Sequence, residues 1–254
     1  MRRFCMELRE VGVKSQLKPA FVAAALAFLF LVGCGDTTSA KDDGNETPTS
    51  AVMTDERDGQ VYKIVVIGSY VWMAENLNYE YKVNGAVYGN WCPGFGPFDE
   101  PENCAKYGRL YTWGAAMDSV HTHCGMGIYC TSELRDIDPQ GVCPNGWRLP
   151  SIGEWRNLFS FVGGETVAAT ALKASSGWNG DGNGTDAYGF SALPSGHREF
   201  DNGSGIESEA YFWSLGDVAE SHACRVFFSQ GAAAIRDFGQ KDSGYAVRCI
   251  KDVY

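Results

Sequence analysis

The stretch that most limits what the chain can fold into is the uncharged run AFVAAALAFLFLVG, Ala20 to Gly33. It follows Arg2, Arg3, Arg9, Lys14 and Lys18, and this order is that of the basic and apolar regions of a secretory signal. A spanning helix requires roughly 20 apolar residues, and this run is shorter. The sequence therefore predicts a segment removed on export, with residues 1–33 outside the folded domain. A domain exported in this way folds where cysteines oxidise.

The run ends Leu31, Val32, Gly33, Cys34, which resembles the bacterial lipoprotein box: a small-residue cleavage site followed directly by the cysteine that receives the lipid. The resemblance implies lipid attachment at Cys34, with two or more acyl chains holding the protein on a bilayer. Gly35 stands where an inner-membrane retention signal carries Asp, which points to the outer membrane as the address within the cell envelope. Residues 34–54, rich in Ser, Thr, Asp and Gly, read as a flexible tether. Residues 55–254, undivided by a second linker or a repeat, are long enough for one domain with its own core. Setting aside residues 1–33 leaves 16 Lys and Arg against 29 Asp and Glu. Such a surface repels phosphate backbones, so nucleic acid is excluded as an expected partner.

Seven cysteines follow Cys34, at 92, 104, 124, 130, 143, 224 and 249. Cys92 and Cys104 bracket a Pro/Gly loop and Cys124 and Cys130 bracket GMGIY, so each pair is a candidate local staple. Cys143 with Cys249 would then tie the middle of the domain to its end, leaving Cys224 as the odd one. Cys224 with Cys249 stays open, because connectivity is not fixed by spacing. His121 and His123 beside Cys124 and Cys130 are metal-ligand types at short spacing, but they follow no standard zinc pattern.

Locally, Val61 to Ile67 and Tyr70 to Met73 flank Gly68-Ser69, a β-hairpin pattern. Tyr107 to Val120 reads as a short aromatic strand running into a short helix near Trp113 to Asp118. In CPNGWRLPSIGEW, Ser151 and Glu154 have capping-box spacing, apolar residues recur at helical period to Val162, and Gly163-Gly164 supply the stop. A second short helix is expected over Thr166 to Ala174. AYFWSLGDV, ACRVFFSQGAAAIRDFG and GYAVRCIKD read as three strands. Asn179, Asp181, Asn183 and Asp186 alternate with glycines as in a calcium loop, but Phe190 stands where an EF-hand pattern requires an acid. A turn held by Asn and Asp side chains is the favoured reading, with calcium as the sole cofactor candidate.

Taken together, DGQVYKIVVIGSYVWMAENLNY, YGRLYTWGAAM, CPNGWRLPSIGEW, GTDAYGFSALPSGHR, FWS and GYAVRCIKD closely resemble the Fibrobacter succinogenes major paralogous domain family, in order from about Asp55 to Asp252. The resemblance implies an α+β single domain, C-type-lectin-like and formylglycine-generating-enzyme-like, with short helices around irregular antiparallel sheets and long loops. It implies no reaction. Formylglycine-generating enzymes use a closely spaced cysteine pair, whereas Cys224 and Cys249 lie 25 residues apart, and the Glu-Pro-Asn, Gln-Pro-Asp and Trp-Asn-Asp motifs of calcium-dependent lectins are absent. The Cys92–Cys104 and His121–Cys130 stretches look like insertions where specificity would vary.

No GxSxG, HExxH, P-loop or GxGxxG motif occurs, so no catalytic residue is assigned. A hydrolytic carboxylate pair leaves no such local signature, and a hydrolase stays an alternative, as does a structural envelope component. The expected function is non-catalytic binding of polysaccharide or of another envelope protein. Trp91, Phe95, Phe98, Trp178 and Tyr188, in polar or glycine-rich loops, are its candidate residues.

Overall fold

The structure, a computed structural model, describes residues 51–130, 140–229 and 232–253. The expected lipid-attachment residue Cys34 and the expected signal segment lie outside these residues. Ala51–Thr54, assigned above to the tether, forms strand β1, because its alternating backbone pairs antiparallel with β2, Val61–Ile67. The expected hairpin of β2 and β3 (Tyr70–Met73) is present, and the C-terminal strand β14 (Ile250–Asp252) adds to β3. These four make one sheet in the order β1-β2-β3-β14.

A two-stranded ribbon, β4 (Lys82–Val83) and β5 (Ala86–Val87), turns on Asn84-Gly85, both left-handed as a type I′ turn requires. The larger sheet is built on β10 (Glu209–Asp217). On one edge β10 pairs with β11 (His222–Ser229), which pairs with β12 (Ala232–Gln240). β8 (Ser195–Glu199) and β13 (Tyr245–Ala246) also pair with β10, both in parallel. β9 (Asn202–Ile206) extends from β8, and β7 (Leu110–Tyr111) and β6 (Asn90–Trp91) extend from β13. The three expected C-terminal strands are five, β10 to β14. The middle segment folds back as the β11–β12 hairpin. GYAVRCIKD splits into β13 in one sheet and β14 in the other, with Val247, Arg248 and Cys249 crossing between them in the interior.

Successive residues of a strand point to opposite faces, and β10 sorts its side chains into two cores in this way. Ala210 and Phe212 join Trp72, Trp155, Phe159 and Phe190, while Trp213 joins Trp113, Tyr111 and Tyr245. Trp155 lies 5.6 Å from Phe212 and 4.9 Å from Trp72, and Trp213 lies 4.5 Å from Tyr245, ring centre to ring centre.

Among the described residues the helices are short: α1 (Pro101–Tyr107), α2 (Trp113–Ala116), α3 (Ser119–Thr122), α4 (Ile152–Phe161) and α5 (Glu165–Ala171). The capping box is present in both directions: Glu154 N donates to Ser151 Oγ, and Ser151 N to Glu154 Oε2. Arg148, whose partner the sequence did not announce, also grips the Glu154 carboxylate with both terminal nitrogens. Glu154 is therefore committed to holding the helix entry. Among the described residues, no helix is long and apolar enough to cross a membrane.

Cys92–Cys104 and Cys143–Cys249 are bonded as expected. The Cys124–Cys130 staple is not formed; both residues are buried free thiols. His123 is left-handed, and Asp217 accepts from the Cys130 N–H, which fixes the loop around the two thiols. Burial, with the Cys124 contact second, pushes the Cys130 thiol up to about 12, which disfavours the thiolate that disulfide formation needs. Cys224, expected to be the odd one, is disulfide-bonded.

Candidate functional site

Three loops that are far apart in sequence meet at the β6–β7 end of the larger sheet. The first carries Tyr88 and Trp91. Asn90, buried between them, donates to the carbonyls of Tyr81 and Tyr88 at 2.8 and 3.0 Å and accepts from Arg109. Gly89 is left-handed, and a Cβ there would come within 2.4 Å of Thr112 Oγ1, so only glycine lets the chain lie this close to Thr112. Tyr88 is left 45% exposed and Trp91 half-buried.

The second loop runs from Cys92 to Cys104 and is closed by their disulfide. Asp99 accepts from the Cys92 N–H, and Asn103 donates to the Pro93 carbonyl. Gly96 and Gly203 exchange backbone hydrogen bonds of 2.9 and 2.7 Å, which stitch this loop to β9. The approach is close enough that a Cβ on Gly203 would lie 2.0 Å from the Gly94 carbonyl oxygen. Gly203→Ala is therefore expected to unseat the loop and to cost about 1–3 kcal/mol, measured as a shift in the urea midpoint. Limited proteolysis should then cut between Cys92 and Cys104 in the variant before it cuts wild type.

The third is the turn of the β8–β9 hairpin, which sequence reading missed. Its central residues, Phe200 (φ 49°) and Asp201 (φ 63°), are both left-handed. A type I′ turn favours Asn-Gly there, as Asn84-Gly85 supplies elsewhere in this chain. Phe at the first of these positions costs about 1–2 kcal/mol, whereas Asp tolerates the second, and Phe200 is left 75% exposed. The strands behind the turn brace it. Tyr245 OH donates to Glu199 at 2.9 Å and receives from Arg225, while the Tyr211 ring stacks on Tyr245 and meets His197 edge-on. His197 Nε2 lies 3.1 Å from Ser204 Oγ, and its Nδ1 lies 3.2 Å from Glu209 Oε2 but out of line for a hydrogen bond. Burial holds the His197 imidazole below its usual range, against the pull of Glu199 and Glu209, so it is neutral at pH 7.

Tyr88, Gly89, Trp91, Thr112, Phe200, Asp201 and Asp242 line one open groove of about 580 Å³. Arg198 backs it: its guanidinium carbon sits 5.0 Å from the centre of the Trp91 ring, and its backbone pairs with Gly244. The groove is thus lined by aromatic residues, two hydroxyl-bearing side chains (Tyr88 and Thr112) and two carboxylates. A smaller polar cavity of about 130 Å³ is lined by Gln60, Asn76, Asn78 and Arg248, but the Arg248 donors are already spent on protein oxygens.

Of the expected binding residues, Trp91 lines the groove. Phe95 and Phe98 are 56% and 71% exposed on the loop stitched to β9, outside the lining. Trp178 is corrected: it is 4% exposed, with Nε1 donating to the Ala192 carbonyl, because the loop that holds it folds back on the α4–α5 core. Tyr188 is half-buried edge-on to Phe161, apart from the groove. The Asn179–Asp186 stretch is a side-chain-held turn. Asn183 accepts from the Trp178 N–H, and Asp186 spends both oxygens on Ser191. Among the described residues, no three His, Cys, Asp or Glu side chains converge on a metal position, at this turn or at His121 and His123.

No curated protein and no solved structure matches the chain. The family model described as the Fibrobacter succinogenes major domain matches residues 65–251. That span runs from β2 to β14 and contains every residue that lines the groove, and the chain accordingly belongs to the Fibrobacter succinogenes major domain family.

Proposed function

We propose that this is a lipid-anchored cell-envelope protein whose domain binds polysaccharide, without catalysis, in the groove of Tyr88, Trp91 and Phe200. The observation that carries the reading is that the turn supplying Phe200 holds an aromatic ring in solvent on a strained, well-braced hairpin. Strain of this kind is kept where the surroundings over-determine it, characteristically at ligand clamps. Sugar rings present apolar C–H faces that stack on aromatic rings, while their hydroxyls exchange hydrogen bonds with groups such as Thr112, Asp201 and Asp242. An open groove suits a chain that continues past the site on both sides.

The anchor at Cys34 rests on the order of basic segment, apolar run and box cysteine, and the outer membrane on Gly35. With about 17 tether residues, 34–50, spanning up to about 60 Å, the groove can stand clear of the lipid. We read the fold as C-type-lectin-like. The pairing of the C-terminal strand β14 with β3, and the Cys143–Cys249 bond beside it, support that reading.

Retention of the purified chain on insoluble cellulose, xylan and envelope polysaccharide tests the proposal. Phe200→Ala and Trp91→Ala should each weaken retention about tenfold with the fold intact by circular dichroism, since each loses about 1.4 kcal/mol of ring contact. Equal retention of wild type and both variants, or none by wild type, would count against it.

A further inference from the structure

Asp201 and Asp242 both line the groove, both are exposed, and neither has a hydrogen-bond or ion-pair partner among the described residues. Arg198, against the groove wall, is 8% exposed and is engaged with the Trp91 ring and the Pro97 carbonyl. The site therefore combines uncompensated negative charge with aromatic faces. A neutral sugar accounts for the aromatic faces but leaves the carboxylate charge uncompensated. An ammonium group uses both: it is attracted to ring faces within about 6 Å, and beside carboxylates it gains charge-assisted hydrogen bonds roughly twice as strong as neutral ones. The chain as a whole adds to this, with 31 Asp and Glu against 21 Lys and Arg, so its field draws cationic polymers and repels anionic ones.

We infer that the groove selects a polysaccharide bearing free amino groups, with Asp201 and Asp242 pairing the ammonium and Phe200 and Trp91 stacking on the sugar ring that carries it. This rests on the groove being the polysaccharide site proposed above.

The test uses two probes of equal length and linkage, a β-1,4-linked glucosamine hexamer and its fully N-acetylated counterpart, titrated calorimetrically into the full chain in detergent at pH 6, where the amines are protonated. Wild type should bind the amino form at least tenfold more tightly. In the double variant Asp201→Asn, Asp242→Asn that preference should vanish, the amino form losing about tenfold more affinity than the acetylated form. Phe200→Ala should weaken both forms, which separates groove binding from diffuse attraction of a polycation to an acidic protein. Equal binding of the two probes, or a preference that survives the double variant, overturns the inference. The groove reading still stands in that case if Phe200→Ala removes the binding. Failure of both probes and of the neutral polysaccharides overturns both.

Discussion

Replacing Cys143 and Cys249 together by alanine is expected to lower the unfolding free energy by about 4–5 kcal/mol, read as a fall in the guanidinium midpoint. The bond joins residues 106 apart in sequence, and cross-linking a loop of that length removes a correspondingly large entropy from the unfolded chain. Both cysteines are fully buried, Cys143 ahead of the α4 entry and Cys249 between β13 and β14, where its carbonyl accepts from the Met73 N–H. Against a typical stability of about 5–15 kcal/mol the loss is large. The Cys92–Cys104 bond closes a loop of only 12 residues. Its removal should cost about 3 kcal/mol or less and mainly loosen the segment that carries Phe95 and Phe98. Similar midpoint shifts for the two double variants would contradict the assignment of Cys143–Cys249 as the main staple.

Arg248→Met is expected to destabilise the domain by about 3–5 kcal/mol. Arg248 is 1% exposed and lies between the two sheets, with no ion-paired carboxylate among the described residues. Its Nε and Nη2 donate to Asn76 Oδ1 at 3.0 and 2.6 Å, and Nη1 donates to the carbonyls of Met73 and Phe190. The Phe190 ring centre is 4.5 Å from its central carbon. Burial, opposed in part by Glu75 and Asp186, pulls this arginine down to about 9, so it stays charged at neutral pH. Below that value the cost of its burial is constant, and it makes no pH-dependent contribution to stability between pH 5 and 8. Methionine fills similar space but leaves Asn76 Oδ1 and two carbonyls facing an apolar chain, which is the costly half of breaking a buried hydrogen-bond set. Arg248→Lys should recover only part of the loss, because one ammonium cannot span the three directions of the guanidinium fork. A methionine variant as stable as wild type in urea would show that the arginine is not the link between the sheets.

What the sequence made legible was local. The Gly68-Ser69 hairpin, the Ser151–Glu154 cap and the Cys92–Cys104 loop each have both partners within a short window, so pattern and chemistry coincide. The site was half legible. Trp91 stood out as an aromatic in a polar loop, but so did Trp178, and only packing against Ala192 and the α4–α5 core separates the exposed ring from the buried one. Phe200 and Asp201 were invisible because EFDNGSG lacks the Asn-Gly signature at the positions that turn. Arg248 read as one residue of a strand, since nothing local marks a cation whose acceptors lie 172 and 175 positions away. The Cys124–Cys130 pairing failed for a related reason. Short spacing allowed a bond, while the contacts of Asp217 and the surrounding burial favour two thiols.

The groove claim has a direct spectroscopic test, because of the seven tryptophans six are buried and only Trp91 is half-exposed. Acrylamide quenching of tryptophan fluorescence should therefore show one small accessible component that is absent in Trp91→Phe. Saturation with a cellulose, xylan or glucosamine hexamer that the protein binds should abolish that component in wild type and leave the variant unchanged. Quenching that is unaffected by a bound oligosaccharide, or protection that persists in Trp91→Phe, would contradict the groove as the binding site.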